Sequence, residues 1–78
     1  MTDPASLSEP APLSVSVNGE VRLLAAGTTL DTLVAALTAA HSGVAAAVNE
    51  TVVPRSRWSS ATLTDGDRIE VLTAVQGG

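Results

Sequence analysis

Apolar and polar residues alternate with period two over "LSVSV" (13–17). Successive side chains of a strand point to opposite faces, so this spacing predicts a half-buried strand. Asn18-Gly19 follows at once. A type I′ turn needs positive φ at both central residues, and Asn-Gly meets that need at low cost. A hairpin is therefore predicted, with "EVRLLA" (20–25) returning as its second strand. The period then changes. Leu30, Leu33, Val34 and Leu37 form one stripe at helical spacing. Thr28 or Thr29 is placed to cap the start, and Asp31 puts negative charge in the first turn, where the helix dipole favours it. Gly43 is placed to end the helix, which puts His41 in its last turn.

"GVAAAVNE" (43–50) predicts a third strand that closes at a tight Asn49-Glu50 turn. "TVVP" (51–54) predicts a short strand, and Pro54 marks it as an edge strand or as its end. "RSRWSSATL" (55–63) reads as an irregular crossing with room for one helical turn, and "TDGD" (64–67) as a turn. "RIEVLTAV" (68–75) is the last strand. The order ββαβ(β)β predicts an α+β fold: a mixed sheet of four to five strands with one main helix packed across one face. The last strand of so small a sheet is expected to lie centrally. Its parity turns Ile69 and Val71 toward the helix, and Glu70 and Leu72 toward the open face.

Composition narrows the possibilities. Seventy-eight residues allow one domain with a thin core. Pro4, Pro10 and Pro12 stand among Ser, Ala and acids with no apolar period, so residues 1–12 read as a disordered tail. Residues 13–75 form the expected domain and 76–78 a flexible tail. The net charge is −4 and the four arginines form no run, which argues against nucleic acid as a partner. No apolar stretch approaches the ~20 residues of a membrane span, and the first dozen residues lack a secretory pattern, so a cytoplasmic address is expected. The absence of cysteine excludes disulfides, thiolate zinc sites and thiol nucleophiles. His41 is the single histidine, and Asp65 and Asp67 read as turn residues, so no metal is expected. Trp58, the single aromatic residue, reads first as cover for the core edge and second as a partner contact. Arg55 and Arg57 read as solvated, with either available to an acidic partner.

The segments "VNGE" (17–20), "GTTLDTLVAAL" (27–37), "VAAAVNETVVPRSRW" (44–58) and "LTDGDRIEVLTAVQGG" (63–78) together resemble the bacterial sulfur carrier proteins of thiamine biosynthesis, within the ubiquitin-like β-grasp fold. The resemblance spans nearly all of residues 13–78. Its specific part is Val-Pro-Arg…Trp at 53–58, then Asp-Gly-Asp, then a closing Gly-Gly. The first dozen residues depart from it.

The resemblance implies a protein cosubstrate rather than an enzyme, with no catalytic residue and no bound cofactor of its own. In such carriers an E1-like adenylating enzyme uses ATP to activate the C-terminal carboxylate. Sulfur from a persulfide donor enzyme displaces AMP, leaving a thiocarboxylate (1-thioglycine), and thiazole synthase takes that sulfur. Carried onto this chain, the reacting residue is Gly78, and Gln76 and Gly77 form the tail. Glycine lacks a Cβ and suits a tail threaded into an enzyme. Four residues from Val75 reach roughly 13 Å. Such a tail offers little area to grip, so a docking face is expected on the domain, centred on Leu72 with Glu70 and Ala74. The edge around Arg55 and Trp58 is the second candidate. The alternatives are a carrier for molybdopterin or another thio-cofactor, a ubiquitin-like modifier of other proteins, and a binding module whose Gly-Gly carries no chemistry.

Overall fold

Two asparagine turns shape the chain. Asn18 and Gly19 have φ of 50° and 86°, and Asn49 and Glu50 have φ of 51° and 70°. These are the left-handed values that fold two strands back in a tight hairpin. The structure, a computed structural model, describes residues 11–39 and 43–73. The first turn joins β1 (Leu13–Val17) to β2 (Glu20–Leu24), and the second joins β3 (Val44–Val48) to β4 (Thr51–Val53). Between the hairpins runs α1 (Leu30–Leu37). A 3₁₀ turn (Arg55–Ser60) and β5 (Arg68–Thr73) follow.

The five strands make one mixed sheet in the order β2-β1-β5-β3-β4. β5 is central, as its sequence position led us to expect. It runs parallel to β1 (Ser16↔Arg68, Val17↔Ile69) and antiparallel to β3 (Val44↔Thr73 through Val48↔Ile69). β4 is an edge strand three residues long, ended by Pro54, which cannot donate to a ladder.

α1 is capped at Thr29, whose hydroxyl accepts from the Thr32 N–H at 3.4 Å. Its stripe buries Leu30, Leu33 and Val34 against one sheet face, where they meet Val15, Val17, Ala46, Ile69 and Val71. Trp58 and Leu63 complete the core. The segment 61–63 is tied to the helix start by Leu30 N–H donating to the Ala61 carbonyl at 2.8 Å and Leu63 N–H to the Thr28 carbonyl at 2.9 Å.

The end of the helix differs from the sequence reading. The helix ends at Leu37, where its apolar stripe is complete, and Thr38 leaves it in an extended conformation (φ −150°). Gly43 therefore does not stop the helix. Its φ of 72° serves the entry into β3 instead, and His41 lies outside the described residues. In β2, Val21 and Leu23 point to the open face, while Arg22 and Glu20 stand in register with the buried Val15 and Val17. Arg22 and Glu20 are nevertheless exposed, so of this edge strand only Leu24 packs against the core.

β5 shows the expected parity, with Ile69 and Val71 buried and Glu70 and Leu72 exposed. Val71→Glu should therefore unfold the domain by burying an unpaired carboxylate. Leu72→Glu should leave stability within about ±0.5 kcal/mol, as for an ordinary surface substitution. Thermal melts followed by circular dichroism check both, and the opposite pattern would show the register to be off by one.

Candidate docking face and tail root

The open face of the sheet carries the candidate site. Leu72 is 71% exposed and stands opposite Ala45 of β3. Glu70 stands opposite Ala47, which pairs on its other side with Val52 of β4. The alternation in "VAAAV" puts two methyl side chains on this face, so the floor is low between Leu72 and Val52. The result is a groove of about 180 Å³ lined by Asn18, Ala45, Ala47, Val52, Glu70 and Leu72. It is apolar in the middle, with a carboxylate and an amide at its rim. Val21 and Leu23 form a second apolar pair on the same face, across β1's Ser14 and Ser16.

The root of the groove is held by hydrogen bonds to β5. Asn18 donates its backbone N–H to the Ile69 carbonyl at 2.9 Å. Its side chain accepts from the Val71 N–H at 2.9 Å and donates to the Val71 carbonyl at 3.1 Å. Asn49 does comparable work at the start of the strand. Its backbone N–H donates to the Arg68 carbonyl at 2.7 Å, and its Oδ1 accepts from the Arg68 N–H at 3.0 Å. Its Nδ2 donates to Asp67 Oδ1 at 3.0 Å.

The "TDGD" turn behaves as turn chemistry. Asp65 accepts the Ser14 N–H at 2.7 Å, joining β1 to the turn before β5. Asp67 accepts from the Thr64 N–H, the Asn49 amide and the Thr64 hydroxyl. Partial burial raises the pKa of Asp67, but these hydrogen bonds outweigh it and hold the carboxyl below its ordinary value.

Leu72 and Glu70 thus share one groove, as the parity of β5 implied. Arg55 and Trp58 lie elsewhere, beside α1, where with Asp31, Val34 and Thr38 they line a separate hollow of about 300 Å³. Trp58 is only 3% exposed, so it is withdrawn as a partner contact. Its ring completes the core, its Nε1–H donates to the Val53 carbonyl at 2.8 Å, and the Arg55 guanidinium covers it at 5.3 Å from the ring centre. Arg55 itself is exposed. Ala74, Gln76, Gly77 and Gly78 lie outside the described residues. Sequence reasoning overlooked Ala45, Ala47 and Val52, which the strand alternation could have placed on the face. It also read Asn18 as a turn residue alone.

A mixed sheet with a central final strand, wrapped on one side around a single main helix, defines the β-grasp class. Within that class the sequence model of the ThiS family matches residues 15–78, and the chain belongs to this family. It is 32% identical over 66 residues to the sulfur carrier protein ThiS of Escherichia coli, a match covering 85% of this chain and all of that one. A solved ThiS structure from Geobacter metallireducens superposes with a TM-score of 0.69 at 29% identity, covering 85% of this chain and all of that one. The chain is also 30% identical over 66 residues to a thiazole synthase of Paramagnetospirillum magneticum, of whose length the match takes 20%. The family, the curated relative and the solved structure agree on a sulfur carrier of thiamine biosynthesis.

The Asp67 contacts carry a pH dependence. A carboxyl whose folded pKa is depressed lends stability that is complete above its unfolded value and is lost as pH falls through its folded value. Denaturation midpoints should therefore fall as the pH drops below the ordinary value of 3.8. Asp67→Asn should flatten that acid limb, and an unchanged limb would mean that its contacts contribute nothing.

Proposed function

We propose that the chain carries sulfur on the carboxyl group of Gly78 and delivers it to the thiazole-forming step of thiamine synthesis. The observation that carries this reading is family membership that runs through residue 78, on a fold whose central strand is the last described element before that residue. A carboxylate is a poor acyl donor. Adenylation with ATP by an E1-like enzyme gives it a good leaving group, and the terminal sulfur of a persulfide donor then displaces AMP to form an acyl disulfide. A thiol cleaves the S–S bond, becoming a disulfide with the donor cysteine, and the thiocarboxylate released is the delivered form. The chain supplies the tail and a surface to hold, and its partners supply the catalytic groups. It acts as a cosubstrate in the cytoplasm. Thiazole synthase is the proposed acceptor, a reading supported by the thiazole synthase that contains a segment similar to this chain.

The Leu72 groove is the proposed grip for the adenylating enzyme and for thiazole synthase. Its exposed leucine, flanked by Val52 and a floor of alanines, offers apolar area close in sequence to the tail. The chain has neither lysine nor cysteine, so an activated terminus meets no side-chain amine or thiol of its own.

Intact-mass measurement after incubation with the adenylating enzyme, the persulfide donor, ATP and a thiol should show one oxygen-for-sulfur exchange. Deleting Gly78 should abolish the exchange and leave the thermal melt unchanged. A ladder of conjugates on other proteins would instead identify a modifier. Burying one leucine contributes about 1.5–3 kcal/mol, so Leu72→Glu should weaken binding to both partners at least about tenfold. Normal binding by that variant would place the grip elsewhere on the domain.

A further inference from the structure

Asn18 stands at the point where β5 loses one of its two neighbours. β1 registers with β5 only at Ser16↔Arg68 and Val17↔Ile69, and the chain then turns away at Asn18-Gly19. β3 continues beside β5 as far as Thr73. On the β1 side, the main-chain N–H and carbonyl of Val71 are met by the Asn18 side-chain amide, at 2.9 and 3.1 Å. The amide sets an N–H donor beside a carbonyl acceptor, as a peptide group does, so it serves as an extra rung of the ladder. Beyond that rung, Leu72 and Thr73 register with β3 alone.

We propose that Asn18 is a positioning residue for the tail: by clamping the Val71 main chain from a side chain 53 residues away, it fixes the line along which β5 hands the tail to an adenylating site. This rests on the carrier reading above. Its force comes from where the chain is held. Seven residues follow Val71, so releasing the clamp lengthens the segment that is free to move before Gly78. A reacting group misplaced by 1 Å can cost about 10²-fold in rate.

Asn49 provides the matched comparison. It has the same left-handed conformation in the other hairpin turn, and it too grips β5, but at Arg68 and the preceding Asp67, the end remote in sequence from the tail. Glycine accepts positive φ at either position, so Asn→Gly removes the side-chain clamp and keeps the turn. A general loss of order in β5 would affect both variants alike, whereas positioning would separate them.

The test uses the full chain with its adenylating enzyme, ATP and labelled pyrophosphate, and it follows amide hydrogen exchange in the free chain. Asn18→Gly should lower kcat of pyrophosphate exchange about tenfold while KM for the carrier stays within about twofold, because what is lost is alignment and not grip. The amides of Val71, Leu72 and Thr73 should exchange faster. Asn49→Gly should loosen the Arg68 end of the strand and keep kcat near that of the parent. The inference is overturned if Asn18→Gly keeps the parent kcat, if it changes KM alone, if Asn49→Gly loses as much kcat, or if exchange at Val71–Thr73 does not change. Should the unaltered chain itself fail to be adenylated, the carrier reading falls. Amide exchange then still decides whether Asn18 anchors the strand, so the two failures are told apart.

Discussion

The pairing of β5 on both edges is the constraint on which the rest depends. The β1–β2 and β3–β4 hairpins do not pair with each other in the sheet; each meets the other only through Arg68–Thr73. Period-two alternation along this one strand must satisfy two demands. Ile69 and Val71 close the core against α1, and Glu70 and Leu72 furnish the open face. A shift of one residue would exchange these roles and fail both. The strand that stabilises the domain is therefore also the strand that sets the candidate surface.

The hairpin turns take part in the same constraint. Asn18 and Asn49 each reverse the chain locally and reach sideways to β5. A glycine in their place would satisfy the turn and lose the lateral bond. Asparagine meets both needs because it tolerates left-handed φ and carries a peptide-like amide. Around the "TDGD" turn, Asp65 and Asp67 add bonds to β1 and to Asn49. The polar contacts of the domain are thus concentrated where the central strand enters and where it leaves its neighbours.

What was legible in the sequence was what depends on near neighbours in the chain. The alternation of "LSVSV", the helical stripe from Leu30 to Leu37, the Thr29 cap and the Asn-Gly turn all appear as read. The parity of β5 follows from the same local rule. The end of α1 was misplaced, because Gly43 is a good stop signal and the stripe had already finished at Leu37. Trp58 reads first as cover for the core edge, and its burial bears that out, while the Val53 carbonyl that receives its Nε1–H shows only in the fold. The bond from Asn18 to Val71 crosses 53 residues, and nothing in "VNGE" points to its partner. The proposed tail chemistry rests on family resemblance, since two glycines carry no reactive side chain.

The central place of β5 also bears on biosynthesis. A chain broken off before Arg68 lacks the strand that unites its two hairpins, and neither hairpin alone is stable in water. Prematurely terminated products are therefore left without a packed core and open to proteolysis. Folding acts as a checkpoint on translation: a molecule that survives in the folded form has already been read through the segment from which its tail departs.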